Sequence, residues 1–274
     1  MKVAILLSTY NGEKYLKDQL KSLINQTYTD WEVYIRDDGS KDKTLNIIYD
    51  FKDLYPNQIF IIQDNLGNLK SAKSFMTLLM YVQSDFYMFC DQDDYWVPNK
   101  IELSVNKILK LQKIHGNVPA LVFTDLKVVD ENLNLIHSSL WSYSKINPEH
   151  IFNFYKLATN STVTGCTIII NDLLKKSSIP IPSHMLMHDW WLSLLACRIG
   201  VIDFILTPTL LYRQHAINVL GAEPQNQKSI QFKLKNLLKV LEKNINFILM
   251  IKDKRLRTNL IVLYYYKFRK YIID

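Results

Sequence analysis

Three carboxylates in four positions, Asp91-Gln92-Asp93-Asp94, follow directly on the apolar run Phe86-Tyr87-Met88-Phe89-Cys90. Like charges a few ångströms apart repel in a partly dry site. A hard divalent ion shared with substrate phosphates resolves that repulsion, because magnesium-type ions take one or two carboxylates and keep the rest of their shell for phosphate and water. The plain alternative is a solvated acidic turn ahead of the helix after Pro98. A second acidic pair, Asp37-Asp38, is followed by Gly39-Ser40, a turn in which Ser40 is expected to cap a helix through Leu45, Ile48 and Phe51. In His188-Asp189-Trp190-Trp191 an acid opens a helix. A carboxylate so placed can accept the proton of an attacking hydroxyl, whose own pKa lies far above neutral; otherwise it caps the helix ahead of two core tryptophans. Tyr212-Arg213-Gln214-His215 is a basic cluster that suits a diphosphate, and its histidine can complete a metal shell. Its alternative is an exposed loop with a lone histidine.

The elements that must position these groups alternate between apolar runs and helical periodicity. Val3 to Leu7, Trp31 to Ile35, Ile59 to Ile62 and Phe86 to Cys90 read as strands. Helices are expected through Leu16, Leu20, Leu23 and Ile24, through Leu45 to Phe51, and from Leu69 to Val82. Each polar cluster of the first half therefore falls at the carboxyl end of a strand, where open α/β sheets place their ligands. The second half is less regular. It predicts a helix over Lys100 to His115, strands over Ala120 to Val129 and Val163 to Ile170, and a helix over Asp189 to Arg198.

The 274 residues suffice for one large α/β domain with an appendage. With 48% hydrophobic residues, 7 Gly and 8 Pro, the chain is globular and free of low-complexity linkers. Cys90, Cys166 and Cys197 are too few and too scattered for a disulfide framework or a zinc site, so a reducing cytosol is the expected setting. The N-terminal apolar run lacks a cleavage pattern and reads as a strand. No stretch is apolar and long enough to span a bilayer. Residues 225–274 hold 12 Lys and Arg against 3 Asp and Glu, leaving 21 and 23 for residues 1–224. The near-neutral body argues against nucleic acid as a partner.

Taken in order, Ile5-Leu6-Leu7-Ser8-Thr9-Tyr10-Asn11-Gly12, Asn25-Gln26-Thr27, Asp37-Asp38-Gly39-Ser40 and Asp91-Gln92-Asp93-Asp94 resemble the family 2 glycosyltransferases, nucleotide-sugar enzymes with the GT-A fold. The resemblance extends over residues 1–222 and is strongest in the first hundred. It implies a Rossmann-like, mostly parallel sheet flanked by helices, with a nucleotide-binding half over 1–97 and an acceptor-binding half over 98–222. By position, Ser8, Tyr10 and Asp38 look like the base pocket, Asp91 the acid of the ribose and metal side, and Asp93 the direct ligand of a manganese or magnesium ion. Asp189 looks like the catalytic base. Gly165, in Thr164-Gly165-Cys166, looks like an acceptor-pocket turn, with a plain strand-start glycine as the alternative, and Trp190 or Trp191 is a candidate to stack on a sugar. The 212–215 cluster and Gln92-Asp93-Asp94-Tyr95-Trp96 resemble the bacterial rhamnosyltransferase-like branch, which implies Arg213 on the diphosphate, His215 on the metal and dTDP-L-rhamnose as donor. A UDP donor carrying glucose, galactose or an N-acetylated sugar is the second expectation. A sugar-nucleotide pyrophosphorylase is disfavoured, since Ser8 to Glu13 is no glycine-rich phosphate loop, and a nonenzymatic binding module has no use for the acids at 91–94.

Residues 223–274 read as a basic helical appendage. Ile230, Leu234, Leu237, Leu238, Leu241, Ile245 and Ile248 share one helical face, with Lys228, Lys235, Lys239 and Lys243 opposite. Such a segment either lies on an anionic membrane at the inner face of the plasma membrane, near a lipid-linked or glycan acceptor, or packs on the body or on a second copy as a helical hairpin.

Overall fold

The structure, a computed structural model, describes residues 1–215 and 237–273. The chain opens with β1 (Val3–Thr9), α1 (Leu16–Ile24), β2 (Trp31–Asp37), α2 (Thr44–Leu54), β3 (Ile59–Ile61), α3 (Lys70–Tyr81) and β4 (Phe86–Cys90). It continues through β5 (Tyr95–Trp96), α4 (Lys100–His115), β6 (Ala120–Thr124), β7 (Lys127–Val129), β8 (Leu135–His137), α5 (Leu140–Tyr143), α6 (Phe154–Thr159), β9 (Ile169–Asn171) and α7 (Asp172–Ser178). α8 (His188–Ile199), β10 (Val201–Ile205) and β11 (Leu210–Arg213) complete the body, and α9 (Leu237–Ile251) and α10 (Leu260–Ile273) follow.

Seven strands form the main sheet in the order β10-β6-β9-β4-β1-β2-β3, parallel except for β9, which runs antiparallel to both β4 and β6. Its central strands β1 and β4 are apolar from Val3 to Leu7 and from Phe86 to Cys90 because both faces are covered. In β1, Ala4 and Leu6 face one core while Val3, Ile5 and Leu7 face the other; in β4, Tyr87 and Phe89 oppose Phe86, Met88 and Cys90. α1, α2 and α4 cover one side, and α3, α6 and α8 the other. A second, four-stranded sheet, β5-β11-β7-β8, sits beside the acidic turn.

Several expected elements differ. Ala120 to Val129 is two strands in different sheets, broken at Asp125, whose carboxylate accepts from the Leu126 and Trp141 N–H groups. Val163 to Ile170 holds a 3-10 turn over Gly165–Thr167, and the strand begins only at Ile169. Ser40 does not cap α2. Its hydroxyl closes the Asp37 turn at 2.6 Å, and the Thr44 N–H at the start of the helix is met by Asp42.

In the appendage the described helices lie against the α3, α6 and α8 side. Phe247, Met250, Ile251, Leu256 and Leu263 join that core. The buried line of α9 is turned from the expected face: Ile245 is exposed and Ile248 only half-buried, because Phe247 and Ile251 fill the space beside α8. Ile230, Leu234, Lys228 and Lys235, like the expected boundary at 222, lie outside the described residues.

Candidate active site

β1, β2 and β4 end side by side, with Ser8 opposite Arg36 and Leu7 opposite Cys90, so the segments that follow them converge on one edge of the sheet. Tyr10 follows β1 and is half exposed, as a residue stacking on a flat ligand must be. Its backbone is held by Gln92, whose Oε1 accepts from Tyr10 N at 2.8 Å and whose Nε2 donates to Tyr10 O at 3.0 Å. A Cβ on Gly12 would come within 2.3 Å of Gln92 Oε1, so the glycine makes room for that amide. Gln92 thus ties the aromatic to the acidic turn, a role its own neighbours in the sequence do not reveal.

Asp37 builds the turn after β2, accepting from Thr9 Oγ1, Gly39 N and Ser40 N, with Gly39 at φ +90°. Asp38 points inward and is buried. It pairs with Arg36 and accepts the N–H groups of Leu69 at 2.7 Å and Lys70 at 2.8 Å. Arg36, also buried, reaches Asp64 at 2.6 Å, Gly67 O at 2.8 Å and Ser74 Oγ at 3.0 Å; Ser74 in turn accepts from Ser8. Ser8 and Asp38 therefore belong to one buried network. A carboxylate offers about four acceptor positions, and three of those on Asp38 are taken.

Burial and the neighbouring Asp93 and Asp189 raise the pKa of Asp91 to about 7. Burial, with Asp93 and Asp91 nearby, drives that of Asp94 well above the carboxylate range. Asp94 Oδ1 accepts from Arg213 N, while its buried Oδ2 has no hydrogen-bond partner among the described residues. Ligand atoms of Asp91, Asp94 and Cys166 lie within 4.8 Å of one another. His215 Nε2 lies 2.8 Å from Asp93 Oδ2, with its ring against Tyr15. Crowded acids with one orphaned oxygen and an imidazole at their edge fit a hard divalent cation. Asp91, Asp93 and His215 supply the ligand types expected for it; Asp94, also in the expected acidic run, and Cys166 lie with Asp91, while Asp93 pairs with His215.

Arg213 is placed differently from expectation. Its guanidinium is buried over the Tyr15 ring and donates to Asp93 O at 2.9 Å, Glu131 O at 2.6 Å and Asp18 at 3.3 Å. These bonds hold the acidic turn from behind, and the group expected on the diphosphate is committed to the protein itself.

Asp189 lies in the first turn of α8. Burial raises its pKa to about 6, while hydrogen bonds from the Trp190 and Gly165 N–H groups oppose that rise. Its charge is felt at Asp91, which puts the two carboxyls within electrostatic reach of each other. A Cβ on Gly165 would stand 2.6 Å from His188 Nε2 and 3.5 Å from Asp189 Oδ2, so the space left by the glycine is taken by the imidazole. That ring is wedged between Phe75 and Phe89, and burial lowers its pKa to about 3, which leaves it neutral. Trp191 is wholly buried, donating to Ser178 O, and cannot reach a sugar. Trp190 is half-buried and stacks on Phe247 of α9 at 4.9 Å, so one of its faces is covered by the appendage.

Residues 4–176 match the profile described as Glycosyl transferase family 2. The chain belongs to this family. Among family 2 glycosyltransferases it is 30% identical over 245 residues to the dTDP-rhamnosyl transferase RfbG of Shigella flexneri, covering 84% of this chain and 76% of the relative. It is 28% identical over 195 residues to the UDP-Glc:alpha-D-GlcNAc-diphosphoundecaprenol beta-1,3-glucosyltransferase WfgD of Escherichia coli, covering 70% and 69%. The fold is the GT-A arrangement of S. aureus TarS 1-349, at a TM-score of 0.63 and 18% identity over 99% of this chain and 89% of that one. A mannosyltransferase from Pyrobaculum calidifontis, solved with GDP-Man and Mn2+, shares the fold at a TM-score of 0.53 and 14% identity, over 90% and 64% of the two chains. This family 2 chain is therefore a nucleotide-sugar glycosyltransferase.

Proposed function

We propose that the protein transfers a single sugar, with inversion, from a nucleotide-diphosphate donor to a glycan or lipid-linked acceptor in bacterial surface polysaccharide synthesis. The observation that carries this reading is the half-buried Asp189 carboxyl, with its pKa lifted to about 6, within electrostatic reach of Asp91. Such a group is ionised at neutral pH yet basic enough to accept a proton as the acceptor oxygen bonds to carbon. Displacement from the face opposite the leaving diphosphate inverts the anomeric centre. Tyr10 supports the base, Ser8 and Asp38 line its pocket, and Asp91 reaches the ribose side. Asp91, Asp93 and His215 would hold a divalent ion, and when bound it would supply neutralisation of charge on the leaving diphosphate. Gly165 shapes the acceptor side indirectly, by seating His188 beneath Asp189.

The proposed donor is dTDP-L-rhamnose, supported by the likeness to RfbG over most of both chains. A UDP-sugar is the second reading, supported by the UDP-Glc named for WfgD and by TarS, which was solved with UDP-GlcNAc. The test is hydrolysis and transfer over a panel of dTDP- and UDP-sugars with manganese or magnesium. Preferential turnover of dTDP-L-rhamnose supports the first reading, and preference for a UDP-sugar replaces it with the second. The appendage, residues 223–274, is proposed as a peripheral membrane contact at the inner face of the plasma membrane; no helix of the described residues is long and apolar enough to cross a membrane.

A further inference from the structure

The inner side of α10 is fixed to the body. Leu263 is buried, Tyr266 stacks on Tyr155 at 5.7 Å, Lys267 donates to Asn244 at 3.2 Å and Lys270 to Thr159 O at 2.9 Å. These contacts set the helix's rotation and leave its other side outward. Ile261, Tyr264, Tyr265 and Phe268 follow helical spacing along that side and are 82%, 50%, 55% and 64% exposed. Beside the stripe, between α10 and α6, lies a cavity of about 180 Å³ lined by His150, Lys156, Arg269 and Lys270, with no carboxylate among the described residues of its lining. Lys254 and Arg257, both exposed, precede the helix.

We propose that this outward face of α10 docks the protein onto an anionic membrane, the stripe lodging among the headgroups and the basic cavity receiving a lipid phosphate. Aromatic side chains with polar tips sit well at the headgroup level, and cations beside them add an attraction that salt screens. A second copy of the chain is a poorer occupant, because apposing two such faces brings their cations together. The membrane face is thus placed on α10 and not on the 230–248 stripe, where Ile248 is half-buried against the body and Ile245 is exposed. The proposal deepens the reading of the acceptor as lipid-linked, and donor hydrolysis is read separately so that the two stand or fall apart.

The experiment is flotation of the full-length protein on phosphatidylcholine vesicles with and without phosphatidylglycerol, at low and high salt. Binding is expected only with phosphatidylglycerol at low salt. Ile261→Ser with Phe268→Ser, and separately Arg269→Glu, should each weaken it by roughly tenfold or more while leaving the melting temperature and donor hydrolysis unchanged. Wild-type protein that ignores anionic vesicles at low salt, or variants that float as well as wild type, would overturn the proposal. So would a doubled mass by light scattering that the Ile261→Ser, Phe268→Ser pair halves, without flotation, because a second copy then covers the face. Protein that floats as expected but turns over no nucleotide-sugar supports docking and counts against the transfer reading.

Discussion

Asp189 must be ionised to accept a proton, and burial lifts its pKa to about 6. The base form is therefore lost as pH falls through that value. Transfer is expected to drop about tenfold per pH unit below it, while Asp189→Asn should lower transfer by roughly 10²–10⁴-fold and flatten this limb. Donor affinity by calorimetry should hardly change; a collapse of affinity would assign Asp189 to the donor site. Asp93→Ala is expected to abolish transfer and the metal dependence of nucleotide binding with the melting temperature kept, and a fully active, metal-independent variant would end the metal reading. Gly165→Ala drives a methyl to within 2.6 Å of an imidazole that two phenylalanines hold in place. Overpacking of this kind costs about 1–3 kcal/mol, which a urea titration reads; wild-type stability would mean the ring yields freely. The acids at 91–94, 38 and 189 were legible in the sequence because charge beside apolar runs stands out. Gln92 and Arg213 were not, since their roles depend on partners 82 and about 120 residues distant.

At the scale of elements, Arg36 joins β2 to the segment ahead of α3 through Asp38, Asp64 and Gly67 O. Arg36→Met strands two buried carboxylates, and breaking a buried pair in this way costs about 3–5 kcal/mol. Lower thermal stability and weaker nucleotide binding should appear together, with Arg36→Lys recovering only part because it lacks the planar fork. A melt unchanged in Arg36→Met would show the network to be dispensable. The strands and helices up to residue 115 follow their hydrophobic period closely, since each turns apolar positions toward one or both of the two cores. Prediction degrades over 120–170, where β6, β7 and β9 divide between two sheets and side chains such as Asp125 interrupt the ladder. Periodicity carries no information about which sheet a strand will join.

Over the whole molecule, α9 and α10 complete the core on one side of the sheet through Phe247, Met250, Ile251, Leu256 and Leu263. Phe247→Ala is expected to cost about 3–5 kcal/mol. Removal of residues 223–274 should give a protein that aggregates or melts early, because the covered apolar surface is opened to water. A truncated chain as stable and monomeric as the full one would make the appendage a mere accessory. The basic composition of the appendage was plain from sequence, but its orientation was not, since a helix with apolar residues on several sides has more than one face to bury. The Trp190–Phe247 stack reaches further than stability. Position 190 is the immediate neighbour of the proposed base in one direction and the seat of the appendage in the other. A different pair of helices grafted in place of α9 and α10 would uncover that face of Trp190 unless it carried an aromatic ring at the same place, so the appendage cannot be exchanged without disturbing the wall beside Asp189.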